Sequence, residues 1–184
     1  APGLSRIVFN GCDIGFTNTT TSNNLTQQVQ NITISTTCTN SLSGTAFFLR
    51  NGLGTFTYRT HVEARFNNVD LTGEDVDTQG WAVGLSFYDI NSVQFSNVGI
   101  VGQGANSAVG NQSTLKSSVA VWVQGGIVPT TYEFSNFWVY NYIRGVYATN
   151  GTFEGFDFSN TTMVNVQRGI DFSPTATGHP LLTW

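Results

Sequence analysis

The amino-acid sequence predicts an all-β chain, a right-handed parallel β-helix (β-solenoid) with loop insertions, on three observations. One short phrase recurs six times with its polar and apolar places in phase, a second phrase recurs five times, and the composition is that of strands and turns. Only 10% of the 184 residues are charged, Lys116 is the single lysine, and Gly, Asn, Ser and Thr are abundant beside Phe and Val. Such a composition favours pleated strands joined by turns over helix.

In chain order the first phrase reads Phe9-Asn-Gly-Cys-Asp-Ile14, Val29-Gln-Asn-Ile-Thr-Ile34, Phe66-Asn-Asn-Val-Asp-Leu71, Phe95-Ser-Asn-Val-Gly-Ile100, Phe134-Ser-Asn-Phe-Trp-Val139 and Phe158-Ser-Asn-Thr-Thr-Met163. A large apolar residue opens each copy and a polar one follows. Asn stands third (Gly11 in the first copy), and apolar residues mostly return at the fourth and sixth places. A strand, a bend and a second strand fit this order, since Asn tolerates the left-handed backbone of a bend. The openers are 20, 37, 29, 39 and 24 residues apart. The last interval reads as one coil, and the longer ones as coils with insertions such as the Gly- and Ser-rich stretch from Gly102 to Ser118. The second phrase comprises Ala46-Phe-Phe-Leu49, Gly84-Leu-Ser-Phe87, Ala120-Val-Trp-Val123, Gly145-Val-Tyr-Ala148 and Gly169-Ile-Asp-Phe172, with last intervals of 25 and 24 residues.

A solenoid explains why these residues recur. One coil cannot bury its apolar face alone, so equivalent positions stack about 4.8 Å apart and share a core. Asn68, Asn97, Asn136 and Asn160 would then form a ladder, each amide both donating and accepting. The competing fold is a β-sandwich, which also yields short strands but does not require one phrase at one phase.

Residues 1–184 are expected to form a single β-helix domain. Because the chain begins Ala1-Pro2-Gly3, that domain is expected to be a fragment of a longer chain. Cys12 and Cys38 have no metal-ligand spacing and are expected to be buried free thiols. Six Asn-x-Ser/Thr sequons, at Asn18, Asn24, Asn31, Asn111, Asn150 and Asn160, matter only in a glycosylating host. A formal charge of −4 with seven Lys and Arg argues against nucleic acid. No apolar run nears the ~20 residues of a membrane span, so no membrane insertion is expected. No motif points to a cofactor or a metal.

Taken together, Gly44-Thr-Ala-Phe-Phe-Leu49, Gly80-Trp-Ala-Val-Gly-Leu-Ser-Phe-Tyr-Asp89, Asn97-Val-Gly-Ile-Val-Gly102 and Tyr142-Ile-Arg-Gly-Val-Tyr147 resemble the β-helical part of bacteriophage tailspikes, a group related in fold to pectate lyases. The resemblance covers residues 5 to 173 and is one of pattern. It implies a homotrimer on a virion tail that binds, and often cleaves, a bacterial surface polysaccharide; a secreted location is the alternative.

Alternation along the strands divides core from surface. Leu85, Val121, Val146 and Ile170 point inward, leaving Phe48, Ser86, Trp122, Tyr147 and Asp171 as an outward column. There Trp122, Tyr147 and Asp171 could hold a sugar, or pack on a neighbouring subunit. A second outward column, Arg65, Gln94, Glu133 and Asp157, sets two carboxylates on adjacent coils, near the separation a glycosidase uses, and makes Glu133 and Asp157 catalytic candidates. Two solvated carboxylates are the plain alternative. A third candidate is the loop of Asp70, Glu74, Asp75 and Asp77, with Glu74 and Asp77 as acids and Trp81 as a sugar platform; four solvated acids, or calcium held by their oxygens without the EF-hand spacing, are the alternatives. The columns Asp70, Gly99, Trp138, Thr162 and Thr72, Val101, Tyr140, Val164 are unusually apolar for an outer face. They are expected to form the trimer interface through Trp138, Tyr140, Val101 and Val164. His61 and His179 receive no role. The functional expectation is a tailspike or tail-fibre segment that binds, and with a carboxylate pair depolymerises, surface polysaccharide. The alternatives are a non-catalytic receptor-binding or structural fibre segment and a secreted self-assembling filament subunit.

Overall fold

A computed structural model describes residues 5–20, 25–39, 43–52, 62–104, 117–125, 130–151, 153–173 and 181–183. The strands are β1 (Ser5–Phe9), β2 (Ile14–Thr20), β3 (Leu25–Thr36), β4 (Thr45–Asn51), β5 (Val62–Gly73), β6 (Val83–Tyr88), β7 (Ser92–Val101), β8 (Ser117–Gln124), β9 (Thr130–Thr149), β10 (Phe153–Phe172) and β11 (Leu181–Thr183). They hold 79% of the described residues, none of which is helical, in one all-parallel sheet wound 287° about an axis. This is an all-β parallel solenoid, as the repeats require.

β9 shows how one coil is built. Its first half pairs with β7 from Thr131 to Tyr140 and its second half with β8 from Tyr142 to Thr149. Two bends, at Asn136 (φ 51°) and Asn141 (φ 62°), divide it into three segments. Each coil therefore has three faces: face one before the first bend, face two between the bends, and face three after the second.

The first bend carries the ladder. Asn31, Asn68, Asn97, Asn136 and Asn160 all take φ between 51° and 57°, in the left-handed region that Asn tolerates better than other residues with a side chain. Each Nδ2 donates to the Oδ1 of the coil before: Asn68 to Asn31 at 2.9 Å, Asn97 to Asn68 at 2.8 Å, Asn136 to Asn97 at 2.9 Å and Asn160 to Asn136 at 3.0 Å. At the second bend Asn165 donates to Asn141 at 2.9 Å. Inside the first ladder runs a stack of rings, with centroids 5.6 Å apart from Phe66 to Phe95, 4.7 Å from Phe95 to Phe134 and 4.6 Å from Phe134 to Phe158.

A third bend falls where the second phrase begins. The paired register skips Ala46, Gly84, Ala120, Gly145 and Gly169, each flanked by residues that do pair. Only a small residue fits there: a Cβ at Gly84 would lie 2.6 Å from the Ala120 carbonyl oxygen and 2.7 Å from Ile100 Cγ2. The small residue and its successor both face the core, which shifts the alternation that follows.

Five copies of the first phrase stand in register, Val29, Phe66, Phe95, Phe134 and Phe158 being successive partners. The first copy does not. β1 pairs with the second half of β3, Ile7 opposite Ile34 and Phe9 opposite Thr36. Ile7 thereby extends the file Ile34, Leu71, Ile100, Val139 and Met163 on the core side of face two, and a strand's register follows its apolar positions. Phe9 instead packs edge-on against Phe16, 5.2 Å between centroids.

The cysteines also depart from expectation. Cys12 and Cys38 form a disulfide, with Cα atoms 4.7 Å apart and a sequence separation of 26. Cys12 follows β1 and Cys38 follows β3, so the separation is one coil and stacking brings the two together. Closing a loop of that size stabilises the fold by about 3 kcal/mol.

The ladder yields a test. Asn97→Ala loses the amide that joins Asn68 to Asn136 and strains a left-handed backbone; Asn97→Gly loses only the amide. We expect both to lower stability in denaturant unfolding, Ala by about 1 kcal/mol more than Gly because a non-glycine residue without a local polar side chain is disfavoured at that φ. Equal stability of Asn97→Ala and wild type would remove the ladder from the account.

Candidate functional site

Four groups of residues were singled out by the sequence, and the fold treats them differently. On face three the column Phe48, Ser86, Trp122, Tyr147, Asp171 is formed as expected, one residue per coil. The rings of Trp122 and Tyr147 stack with centroids 6.1 Å apart and planes 29° apart. Trp122 Nε1 donates to Thr149 Oγ1 at 3.0 Å, which holds the indole against the sheet. Both rings remain partly exposed.

Around this stack lie groups that alternation alone misses. The Arg144 guanidinium sits 4.5 Å from the centre of the Tyr147 ring, and its Nε donates to Asp171 Oδ2 at 2.7 Å. Arg168 Nη1 donates to the same oxygen at 3.0 Å. The Arg144 hydrogen bond, and after it the bond and charge of Arg168, hold the Asp171 carboxyl below the usual aspartate range. Further along the same face Arg50 lies 5.1 Å over the Tyr88 ring, and Gln124 Nε2 donates to Ser86 Oγ at 3.4 Å. Strict alternation from the inward Val146 places Arg144 inside as well. The bend at Gly145 turns two consecutive residues inward and frees Arg144 to face out.

On face one the column Arg65, Gln94, Glu133, Asp157 is likewise in register, and Glu133 stands directly opposite Asp157 on adjacent coils. Gln94 Nε2 donates to Glu133 Oε2 at 3.1 Å. Both carboxylates are exposed on an open sheet face. Neither lines the hollow of about 690 Å³ beside Met163, Ile170 and Phe172 or that of about 500 Å³ beside Ile7, Phe16 and Phe47, one at each end of the solenoid. Glu133 and Asp157 are paired by the fold but not enclosed by it.

The acidic loop between β5 and β6 is not one site. Glu74 accepts a hydrogen bond from Ser35 Oγ and pairs with Arg6 at 2.5 Å, and these two partners, Ser35 first, lower its carboxyl below the usual glutamate range. Asp75 closes the loop on itself, accepting from Thr78 Oγ1 at 2.8 Å and from the Asp77 amide at 3.1 Å. Asp77 is exposed at the loop tip. Trp81, expected as a sugar platform, is fully buried and packs edge-on to Phe9 at 5.9 Å. It follows Gly80, whose amide donates to the Cys38 carbonyl, so the chain turns into the core there and leaves the indole no outer face.

On face two Asp70, Gly99, Trp138 and Thr162 are in register, as are Val101, Tyr140 and Val164. Val101, Trp138, Tyr140 and Val164 are all half-buried. Gly99 makes room for the Trp138 indole: a Cβ there would collide with it and lie 2.8 Å from Asp70 Oδ1. Among the described residues no three His, Cys, Asp or Glu side chains come together as metal ligands would. His61, His179, Lys116 and most of the insertion from Gly102 to Ser118 lie outside the described residues.

Comparison with protein-family models, with curated proteins and with solved structures returns no match to this chain.

The environment of Asp70 makes a pH prediction. Partial burial raises its carboxyl above the usual aspartate value of 3.8. A folded-state value above the unfolded one means that the ionised group opposes folding at neutral pH, and that this opposition fades as pH falls below the unfolded value. Asp70→Asn is therefore expected to raise the thermal midpoint at pH 7, with the gain disappearing below pH 3.8. A lower midpoint at pH 7 would instead show that the carboxylate makes a net favourable contribution to the fold.

Proposed function

We propose that this chain is a glycan-binding segment of a tailspike-like fibre, taking a bacterial surface polysaccharide on face three. The observation that carries the reading is the Trp122–Tyr147 stack, two partly exposed rings on adjacent coils, buttressed by Thr149 on one side and Arg144 on the other. A sugar ring has an apolar face that packs on aromatic rings, and rings held in place before binding lose little entropy on binding. The Asp171 carboxylate and its two arginines beside the stack supply the hydrogen-bonding groups that orient a polar ligand.

Binding is better supported than cleavage. Glycoside hydrolysis needs one carboxylic acid held protonated and a second carboxylate ionised, usually where water is restricted; Glu133 and Asp157 stand in open solvent. The disulfide fits an extracellular location, whether virion tail or secreted, since such bonds persist in oxidising surroundings.

The test is binding of capsule and O-antigen polysaccharides to wild type, Trp122→Ala and Tyr147→Ala. Each substitution is expected to weaken binding about tenfold, in keeping with the loss of one stacking contact of about 1.4 kcal/mol. Affinity unchanged in both would sink the site. Reducing ends released by wild type and lost in Glu133→Gln with Asp157→Asn would restore the catalytic reading.

The half-buried apolar columns of face two are proposed as a homotrimer interface through Trp138, Tyr140, Val101 and Val164. Light scattering of the wild-type chain is expected to give three times the chain mass and Trp138→Asp a lower one. A monomeric wild type would discard the interface.

A further inference from the structure

The charges of this solenoid are divided unevenly between its faces. Face three bears Arg50, Arg144 and Arg168 against one acid, Asp171, along its described strands. Face one bears Glu63, Glu133, Glu154 and Asp157 against Arg65. The chain carries −4 overall, so a cationic face runs against its composition.

We infer that the glycan held on face three is acidic, its carboxylate taken by Arg168 and Arg144 next to the Trp122–Tyr147 stack. The inference rests on the glycan-binding reading above and adds the chemical class. The stack leads straight to the arginines, because Trp122, Tyr147 and Asp171 are register partners on successive coils, each step about one strand spacing of 4.8 Å. A sugar lying on the two rings would set its next unit, or a substituent, over Asp171 and its arginines.

The arginines are not used up by Asp171. Both donate to the one oxygen Oδ2, so two positive charges face one negative charge and the cluster keeps a net positive charge. A guanidinium has five N–H donors in a planar fork that matches a carboxylate bidentately. Arg168, 61% exposed, gives one of its donors to Asp171 and has others to offer a ligand. Arg144 is pinned between the Tyr147 ring and Asp171. Asp171 thus acts as a positioning residue: it fixes two flexible side chains before the ligand arrives, and the low value of its carboxyl keeps it charged in that task. Face one, with its four acids, would repel the same ligand.

The experiment uses capsular polysaccharides that contain uronic acids, each offered in native form and after chemical reduction of its carboxyl groups to alcohols. Wild type is expected to bind the native form about tenfold or more tighter than the reduced form, the difference expected of a charge-assisted hydrogen bond. That preference should be lost in Arg168→Gln and in about 0.5 M salt, where exposed charges are screened. Trp122→Ala should weaken both forms alike. Equal binding of native and reduced forms by wild type would overturn the acidic class and leave the glycan reading standing. A preference that survives Arg168→Gln would overturn the assignment to these arginines. No binding of either form, or undiminished binding by Trp122→Ala, would overturn the glycan reading and this inference with it.

Discussion

Each coil of this protein must repeat the height and phase of the coil beneath it, and the amide-to-amide ladder through Asn31, Asn68, Asn97, Asn136 and Asn160 is where that demand is met. A left-handed corner breaks the strand, and its side chain must then pair upward and downward at once. Asn alone among the common residues tolerates that backbone and offers both a donor and an acceptor in one planar group. Once the corner is held, residues at a fixed distance from it fall into columns. The Phe stack inside the ladder and the outward columns on all three faces are consequences of that one alignment.

The same alignment explains what could be read from sequence. Five copies of the Asn phrase, and with them Phe66, Phe95, Phe134 and Phe158, were legible because the ladder repeats chemically. So was the pairing of Glu133 with Asp157 and of Trp122 with Tyr147, since counting from the ladder fixes each column. The first copy misled: Gly11 stood where Asn was wanted, and the apolar file of Ile7 with Ile34 outweighed the likeness of Phe9 to the other openers. The disulfide lay one coil apart in sequence, yet a coil length is measurable only after the register of β1 is known. Trp81 looked exposed because it closes an acidic loop, and nothing in its neighbours revealed that the chain dives inward at Gly80.

Arg144 and Arg168 were hidden for a more general reason. Alternation assumes an unbroken pleat, and within face three lies the third bend, whose small residues, Gly145 and Gly169 among them, turn two successive positions to the core side. At Gly84 and Gly145 a carbonyl of the neighbouring coil occupies the space that a side chain would need. The signal was present, as a small residue opening every copy of the second phrase, but its meaning is steric and appears only when coils are stacked.

That steric detail has a chemical result. Without the bend, the residue two places before an inward Val146 would also point inward, and a charged Arg144 could not be accommodated among the buried Phe and Val side chains without a large desolvation cost. With it, Arg144 emerges on the same side as Tyr147 and can lie against that ring while reaching Asp171 on the next coil. The aromatic stack and the arginine pair are therefore neighbours because of a column of small residues that touches neither. On a scaffold where most repeating positions serve the core, local chemistry arises where the repeat bends, and the proposed binding face is built at such a bend.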